Sequence, residues 1–368
     1  MLSHWLTRLR TRPARNAALR SGRVLSAERM QFLLLRERSR SDRSSLPFCL
    51  IAFELASGQD LDAAVDTLID VLHEQLRISD DIGLLDDGRL AALLPDTPLE
   101  GGELVAERVT RECREANVEL STTLFVYPFD DHGPWAEEGE SSSETALTEE
   151  DAKAQEAIEV EAMTRWFVRP LPLWKRAIDV AGAAAGLTLC SPLIVGGGLL
   201  HRIYSPGPIF FWQWRDGIGG QRFLMVKLRT MDVDAEARKA DLRKISEQDG
   251  PAFKLRHDPR VTFMGKLLRK SSIDELPQFW NVLKGDMSLV GPRPLPCDES
   301  RGCARWQRRR LDVTPGLTCI WQVEGRSRVS FAEWIRMDLR YIRQRSLWYD
   351  LSLMVKTVPA VVGRKGAH

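Results

Sequence analysis

The pattern of apolar and polar residues predicts a compact domain in the first third of the chain, over residues 44–130. The stretch "FCLIAFEL" is apolar enough for a buried strand, and "DLDAAVDTLIDVLHEQL" repeats its apolar residues at helical spacing. Strand-like "DDIGLL" and "LAALLP", helix-like "EGGELVAERVTRECREA" and strand-like "VELSTTLFVYP" follow. This β-α-β-β-α-β order predicts a small α+β or α/β domain.

A second set of elements follows in the last 160 residues. The stretch "YSPGPIFFWQWRDGIGGQRFLMVKLRTM" predicts two strands joined by a Gly-rich turn. Lys227 and Arg229 alternate with apolar residues and would share one face of the second strand, where they could meet phosphate. Apolar residues also recur at helical spacing in a segment that is expected to pack or to anchor on a surface: Phe331, Trp334, Ile335, Leu339 and Ile342.

Between these two sets lies a long apolar segment. Val180–Leu200 contains 21 residues without a charge, and a straight helix of that length reaches about 30 Å. Pro192 removes a hydrogen bond near its middle and predicts a kink, and Ser191 could bind a backbone group that the proline frees. Basic residues flank the segment on both sides, which favours leaving both ends on the cytoplasmic face. We therefore predict a re-entrant membrane helix at about 175–202; the alternatives are an ordinary Pro-kinked span or a buried core helix.

The charges are strongly segregated along the chain. Residues 1–43 contain 11 arginines against 3 acids, residues 44–164 contain 6 basic against 29 acidic residues, and residues 165–368 are again basic. The basic portions are expected to face an anionic partner such as a phosphorylated ligand, lipid head groups or nucleic acid. We expect a basic helical segment at 1–43, an acidic linker at 131–164 and a second, basic domain at 165–368.

The cysteines and the N-terminus place the chain in a reducing compartment. The six cysteines include no CxxC pair, so neither a zinc site nor a disulfide framework is expected. The N-terminus has no apolar stretch of the signal-peptide type, and export is not expected.

The stretch "SSIDELPQFWN" contains the acidic pair Asp274 and Glu275. Taken alone, an acidic pair after serine is a common helix start, with Ser271 or Ser272 as the cap. The functional alternative is an acidic catalytic pair.

The neighbouring motifs favour the functional alternative. The stretches "KRAIDVAGAA", "GPIFFWQWRDG", "VKLRTM", "VTFMGKLLRKSSIDELPQFWNVLKGDMSLVGPRP", "VTPGLT" and "WQVEGR" follow one another in order. With them, residues 170–362 resemble the bacterial sugar transferase family, the monotopic polyprenyl-phosphate phosphoglycosyl transferases.

The resemblance implies an activity and a location. Members transfer a sugar-1-phosphate from a UDP-sugar to a polyprenyl (undecaprenyl) phosphate and release UMP, which starts the assembly of an exopolysaccharide or glycoconjugate. They use a re-entrant helix and a Mg²⁺-dependent Asp-Glu dyad with a covalent intermediate. The expected site is the cytoplasmic face of the bacterial inner membrane, and membrane lipids are expected partners.

The resemblance also assigns roles to residues. Asp274 becomes the nucleophile, since a carboxylate can form an acyl phosphate. Asp274 and Glu275 together suit Mg²⁺, which prefers oxygen ligands and often takes one or two carboxylates plus substrate phosphates. Arginine suits phosphate because its planar fork binds two oxygens while staying ionised. The expected phosphate contacts are Arg269, Arg293 and Arg326, with Lys227 and Arg229 as further candidates.

Residues 44–130 resemble the diguanylate cyclase family. However, Asp86–Leu90, "DDGRL", stand where that family has Gly-Gly-Asp-Glu-Phe, and "LIAFEL" lacks its metal-binding aspartate. The domain is therefore not expected to make a cyclic dinucleotide. A structural or dimerising role is expected instead, which makes a homodimer a possibility.

Two other classes of function compete with the enzyme. A catalytically silent, membrane-tethered signalling scaffold would explain the degenerate first domain, but the acidic pair is present. A nucleic-acid binder would explain the basic portions, but no recognisable binding module accompanies them, so no nucleic-acid partner is expected. The fold class predicted overall is α+β: a membrane-associated catalytic domain with one re-entrant helix and interfacial helices, plus a small N-terminal α/β domain.

Overall fold

In a computed structural model the chain forms two compact units, Met1–Phe167 and Val168–His368. Both combine helices and sheets, so the predicted α+β class is confirmed. The structure describes residues 19, 22–56, 58–128, 159–255, 257–324 and 329–362.

The first unit is a five-stranded sheet with three helices. Its strands are β1 (Phe48–Leu55), β2 (Asp81–Leu84), β3 (Leu90–Leu94), β4 (Leu120–Tyr127) and β5 (Glu159–Ala162), and its helices are α1 (Ala27–Ser44), α2 (Leu61–Gln75) and α3 (Leu99–Glu115). The strand order is β2-β3-β1-β4-β5. The order β1-α2-β2-β3-α3-β4 follows the predicted pattern. All pairs are antiparallel except β4 with β5, which makes this unit α+β rather than α/β.

Strand β1 is buried on both sides, so both faces of this sheet are covered. Cys49, Ile51 and Phe53 point to one core, and alternate residues such as Leu50 point to a second. β5 lies in the segment that the sequence indicates as the end of an acidic linker, and it pairs with the edge of β4. The "DDGRL" segment forms the turn between β2 and β3, where the Asp87 carboxylate accepts a 2.9 Å hydrogen bond from Arg89.

The second unit is built around one long helix. Its main elements are α4 (Leu173–Tyr204), β6 (Phe210–Asp216), β7 (Arg222–Leu228), α5 (Phe263–Lys270), α6 (Phe279–Lys284), β8 (Ser288–Val290), β9 (Gly316–Thr318), α7 (Phe331–Gln344) and α8 (Leu347–Val362). β6 and β7 form the predicted antiparallel hairpin, and β8 and β9 pair in parallel. Phe331, Ile335 and Ile342 are buried, which confirms that α7 packs into this unit.

Among the described residues, helix α4 is long and apolar enough to cross a membrane, and 11% of its apolar 18-residue stretch is buried. It continues through Pro192 as one element. The Ser191 hydroxyl donates a 2.9 Å hydrogen bond to the carbonyl of Thr188. That carbonyl lies four residues before Pro192, whose nitrogen carries no hydrogen for it. Ser191 therefore satisfies the group that the proline frees, while the re-entrant path stays a prediction.

The first turns of α4 are fixed to the rest of the unit. Lys175 and Asp350 form a buried ion pair at 2.5 Å, and the Asp179 carboxylate accepts a hydrogen bond from the backbone of Leu289 at 2.9 Å. Glycines allow close packing further along, since a Cβ at Gly186 would lie 2.8 Å from the ring of Phe279. α4 is thereby held against α6 and β8, beside the segment that contains the acidic pair.

Candidate active site

The acidic pair lies at a corner between two helices. Ile273–Gln278 form a 3-10 turn that connects α5 to α6 and contacts both α4 and β7. The predicted serine cap is wrong. Ser272 adopts a left-handed conformation (φ 57°) with no side-chain cap, and the Ser271 hydroxyl bonds back to the carbonyl of Leu267 at 2.9 Å. Ser272 thus occupies the N-cap position of the 3-10 turn, but its side chain does not cap it.

Asp274 is buried, with 7% of its surface exposed. Burial and the neighbouring Glu275 raise its pKa to about 6, against the opposing effect of nearby cations. No hydrogen bond reaches its carboxylate from the residues that the structure describes. Asp274 is thus a buried carboxylate whose ionisation its surroundings oppose, and no described side chain holds it.

Glu275 has the opposite environment. The Arg293 guanidinium binds both of its carboxylate oxygens, with Nη1 at 3.2 Å from Oε2. Burial acts to raise the pKa of Glu275, but the charge and hydrogen bonds of Arg293, helped by Lys227 and Arg215, outweigh it and hold this pKa below its usual value. Glu275 therefore stays ionised and fixed in position.

Two further predicted cations surround the pair. Arg269 donates a 2.9 Å hydrogen bond from Nε to the Thr230 hydroxyl, and its charge acts on Asp274. The Lys227 ammonium lies 5.1 Å from the centre of the Phe211 ring. Burial, with repulsion from Arg215 and Arg269, lowers the pKa of Lys227 to about 7. The sequence-predicted residues Lys227, Arg269 and Arg293 are thus brought together around the two carboxylates.

Arg229 binds backbone carbonyls away from the acidic pair. It donates hydrogen bonds to the carbonyls of Ser205, Pro206 and Pro208 at 2.6, 3.0 and 2.7 Å. These bonds hold the turn between α4 and β6, so the proposed phosphate contact of Arg229 is corrected to a structural one. The reason is positional, since Arg229 follows the last residue of β7. Arg326, the other predicted arginine, lies outside the described residues.

Arg215 is a cation of this site that was not predicted from the sequence. It donates hydrogen bonds to the Pro294 carbonyl at 2.8 Å and to Gln213 at 2.6 Å, and its charge acts on Lys227 and Glu275. The signal was present in the strand alternation: Phe211 and Arg215 lie four residues apart in β6, and Phe211 pairs with Lys227. Arg215 therefore belongs to the same face of the hairpin as Lys227.

The acidic pair suits a divalent cation that takes few protein ligands. Within the described residues no group of three or more His, Cys, Asp or Glu side chains could hold a metal. Mg²⁺ needs only one or two carboxylates when phosphate and water complete its shell. The unbonded carboxylate of Asp274 and the fixed one of Glu275 fit that requirement.

Residues 171–364 match the family model described as bacterial sugar transferase. The galactosyl transferase CpsE of Streptococcus agalactiae is 45% identical over 195 residues, which are 52% of this chain and 43% of CpsE. The exopolysaccharide production protein ExoY of Rhizobium meliloti is 38% identical over 206 residues, 55% of this chain and 91% of ExoY. A UDP-glucose:undecaprenyl-phosphate glucose-1-phosphate transferase of Caulobacter vibrioides is 41% identical over 214 residues, 54% of this chain and 75% of that protein.

The chain thus spans less than half of CpsE but nearly all of ExoY. Among solved structures, a diguanylate cyclase protein from Thermotoga maritima is 19% identical, with 29% of this chain and 84% of that chain covered and a TM-score of 0.27. At that score the cyclase resemblance of residues 44–130 stays a prediction. Since the family model covers more than half of the residues and ExoY is covered almost throughout, the chain belongs to the bacterial sugar transferase family.

Proposed function

We propose that this protein transfers a sugar-1-phosphate from a UDP-sugar to undecaprenyl phosphate and releases UMP. The observation that carries the proposal is the contrast within the acidic pair. The Asp274 carboxylate can ionise and accepts no hydrogen bond from the described residues. The neighbouring Glu275 carboxylate is held by the Arg293 guanidinium. The names of relatives agree, among them an undecaprenyl-phosphate galactose phosphotransferase of Salmonella typhimurium.

The first chemical step is attack by Asp274. One carboxylate oxygen forms a bond to the β-phosphorus of the donor, and the bond from that phosphorus to the bridging oxygen breaks. The electron pair leaves with UMP, and an acyl phosphate bearing the sugar remains on Asp274. Arg269, Lys227 and Arg293 oppose the negative charge that otherwise repels a carboxylate from a diphosphate.

The second step releases the enzyme. A phosphate oxygen of the lipid carrier attacks the same phosphorus, the bond between Asp274 and phosphorus breaks, and the carboxylate is restored. The product is a polyprenyl-diphosphate sugar. Asp274 and Glu275 would hold Mg²⁺, which when bound neutralises the charge of the diphosphate.

The surface of the second unit supports contact with a membrane, which we propose to be the cytoplasmic face of the inner membrane. α4 is apolar and exposed, and Phe210, Trp212 and Trp214 are 42%, 52% and 54% exposed at alternate positions of β6. Tryptophan favours the membrane–water interface because one end of its ring is apolar and the other can bind water. The opposite face of this hairpin carries Lys227 and Arg215. The hairpin would then rest on lipid while its cations face a phosphate on the carrier.

A turnover assay with purified protein in detergent tests the proposal. UDP-glucose, UDP-galactose and UDP-N-acetylglucosamine are supplied in turn with Mg²⁺, with and without undecaprenyl phosphate, and UMP and the lipid product are measured. We expect both products from at least one donor, in equal amounts, when the lipid is present. A silent scaffold would form neither product with any donor, and that result would overturn the proposal.

A further inference from the structure

A cavity of about 210 Å³ lies next to the acidic pair. Arg293 lines this cavity and also binds Glu275. Arg215 lines it as well and acts electrostatically on Glu275. A ligand in the cavity would therefore meet two arginines that also act on the dyad.

The cavity is positively charged. Arg215, Lys254 and Arg293 line it together with one acid, Glu299. Glu299 is buried and lies 3.1 Å from the ammonium of Lys239, which offsets its charge. Arg293 is already paired with Glu275, so Arg215, whose Nε is buried without a partner among the described residues, is the cation that most favours an anionic ligand.

Arg215 also has an unused donor. Two of its nitrogens bind Pro294 and Gln213, but its buried Nε has no partner among the described residues. An unpartnered buried donor of a charged group is costly unless a ligand supplies an acceptor. Phosphate oxygen is such an acceptor.

Two tryptophans provide an aromatic wall. The ring centroids of Trp321 and Trp334 are 4.6 Å apart at an interplanar angle of 49°, and both line the cavity. Phe331 packs edge-on against Trp334 at 5.5 Å, which fixes that ring. The buried Nε1 of Trp321 has no partner among the described residues. A flat base with carbonyl oxygens suits both the rings and this donor.

Building on the proposed function, we propose that this cavity binds the nucleotide half of the donor, a pyrimidine nucleoside monophosphate, rather than the sugar. The base packs against the Trp321–Trp334 pair, and the phosphate meets Arg215 and Lys254. The aromatic wall decides between the two halves, because each half carries a phosphate but only the nucleotide half carries a flat base that can pack on the rings. The nucleotide also gains a negative charge when the bond to the β-phosphorus breaks. The cations of the cavity then stabilise the departing group.

Binding of the separated halves of the donor tests this assignment. The dissociation constants of UMP and of glucose-1-phosphate are measured by calorimetry on the full chain in detergent. We expect Trp321→Ala and Lys254→Gln each to weaken UMP about tenfold or more, through loss of stacking and of a charged hydrogen bond. Glucose-1-phosphate binding should change less than about twofold.

Matched variants lie outside the cavity. Trp348→Ala removes a tryptophan that is 76% exposed on α8, and Lys244→Gln removes an exposed lysine; both should bind UMP as the wild type does. If Trp321→Ala does not fold, Lys254→Gln alone decides. Unchanged UMP binding combined with weakened glucose-1-phosphate binding would overturn the assignment and make the cavity the sugar subsite.

The assignment and the proposed function fail in different ways. If the protein shows no lipid-dependent transfer but binds UMP, and the cavity variants weaken that binding, the transferase function is refuted and the nucleotide assignment of the cavity stands. If transfer depends on the lipid but both cavity variants bind UMP as the wild type does, the nucleotide assignment of the cavity is refuted and the transferase function stands.

Discussion

The guanidinium of Arg293 binds both carboxylate oxygens of Glu275, while the adjacent Asp274 accepts no hydrogen bond from the described residues. Adjacent acids with like charge cannot both be stabilised equally, and this arrangement stabilises one of them. The pKa of Glu275 is lowered and that of Asp274 is raised to about 6. The arginine thus divides the pair into a fixed carboxylate and a reactive one.

Replacing Asp274 with asparagine should abolish the covalent intermediate. The amide has nearly the same shape but is a poor nucleophile, so turnover should fall by about a thousandfold or more. Incubation with a donor labelled at the β-phosphate, without lipid, should leave label on the wild-type protein and none on Asp274→Asn. The exposed variant Asp241→Asn serves as the control and should be labelled normally. Full turnover by Asp274→Asn would exclude this nucleophile.

The same substitution should stabilise the fold at neutral pH. The pKa of Asp274 is raised from 3.8 to about 6 in the folded protein, so its ionisation opposes folding above pH 6. The opposition disappears below about pH 4. Asp274→Asn should therefore gain about 1–3 kcal/mol in the free energy of unfolding at pH 7 and almost nothing at pH 4. Thermal denaturation in detergent at both pH values measures this, and equal gains at both would contradict it.

Turnover should have a narrow pH optimum. Attack requires ionised Asp274, whose pKa of about 6 sets the acid limb, and charged Lys227, whose pKa of about 7 sets the alkaline limb. The two groups interact, so the limbs report macroscopic constants of the pair. Arginine stays charged throughout this range, so Lys227→Arg should lose the alkaline limb that Lys227 sets. A profile of kcat/KM against pH that keeps the same alkaline limb in Lys227→Arg would remove Lys227 from this role.

Arg229 and Arg269 should respond differently to the same substitution. Arg229 holds three carbonyls of the turn after α4, so Arg229→Lys should lower the melting temperature and leave the KM for the donor unchanged. Arg269 acts on Asp274 and is proposed to bind the donor phosphate. Lysine keeps the charge but loses the two-point guanidinium fork, so Arg269→Lys should raise the KM about tenfold. Steady-state kinetics with melting curves separate the two effects. A raised KM for Arg229→Lys at normal stability would restore its phosphate role.

The sequence predicted the elements well because each depends on local periodicity. The order of the first unit, the β6–β7 hairpin and the packing of α7 all follow from apolar spacing. The sequence could not predict which groups a given side chain hydrogen-bonds. Lys227 and Arg229 are two residues apart, but the first acts on the dyad and the second binds a turn. That difference arises from the tertiary position of the strand end.

The serine cap failed for a similar reason. The sequence "SSIDEL" contains every local feature of a helix start, but Ser272 has a positive φ and the segment that follows is a 3-10 turn. Contacts of this turn with α4 and β7 determine its path. Arg215 shows the converse: it was not predicted, although strand alternation alone would have placed it on the same face as Lys227.

The re-entrant path of α4 predicts that both of its ends lie on the cytoplasmic side. Trp174 and Tyr204 are 36% and 65% exposed near the two ends of the helix, so single cysteines at these positions should be accessible. In a background with Cys190 and Cys297 replaced by alanine, a membrane-impermeant maleimide added to inverted inner-membrane vesicles should label both positions. Added to right-side-out spheroplasts, it should label neither. A continuous 32-residue helix is long enough for either path. If the two positions are instead labelled from opposite sides, α4 spans the bilayer.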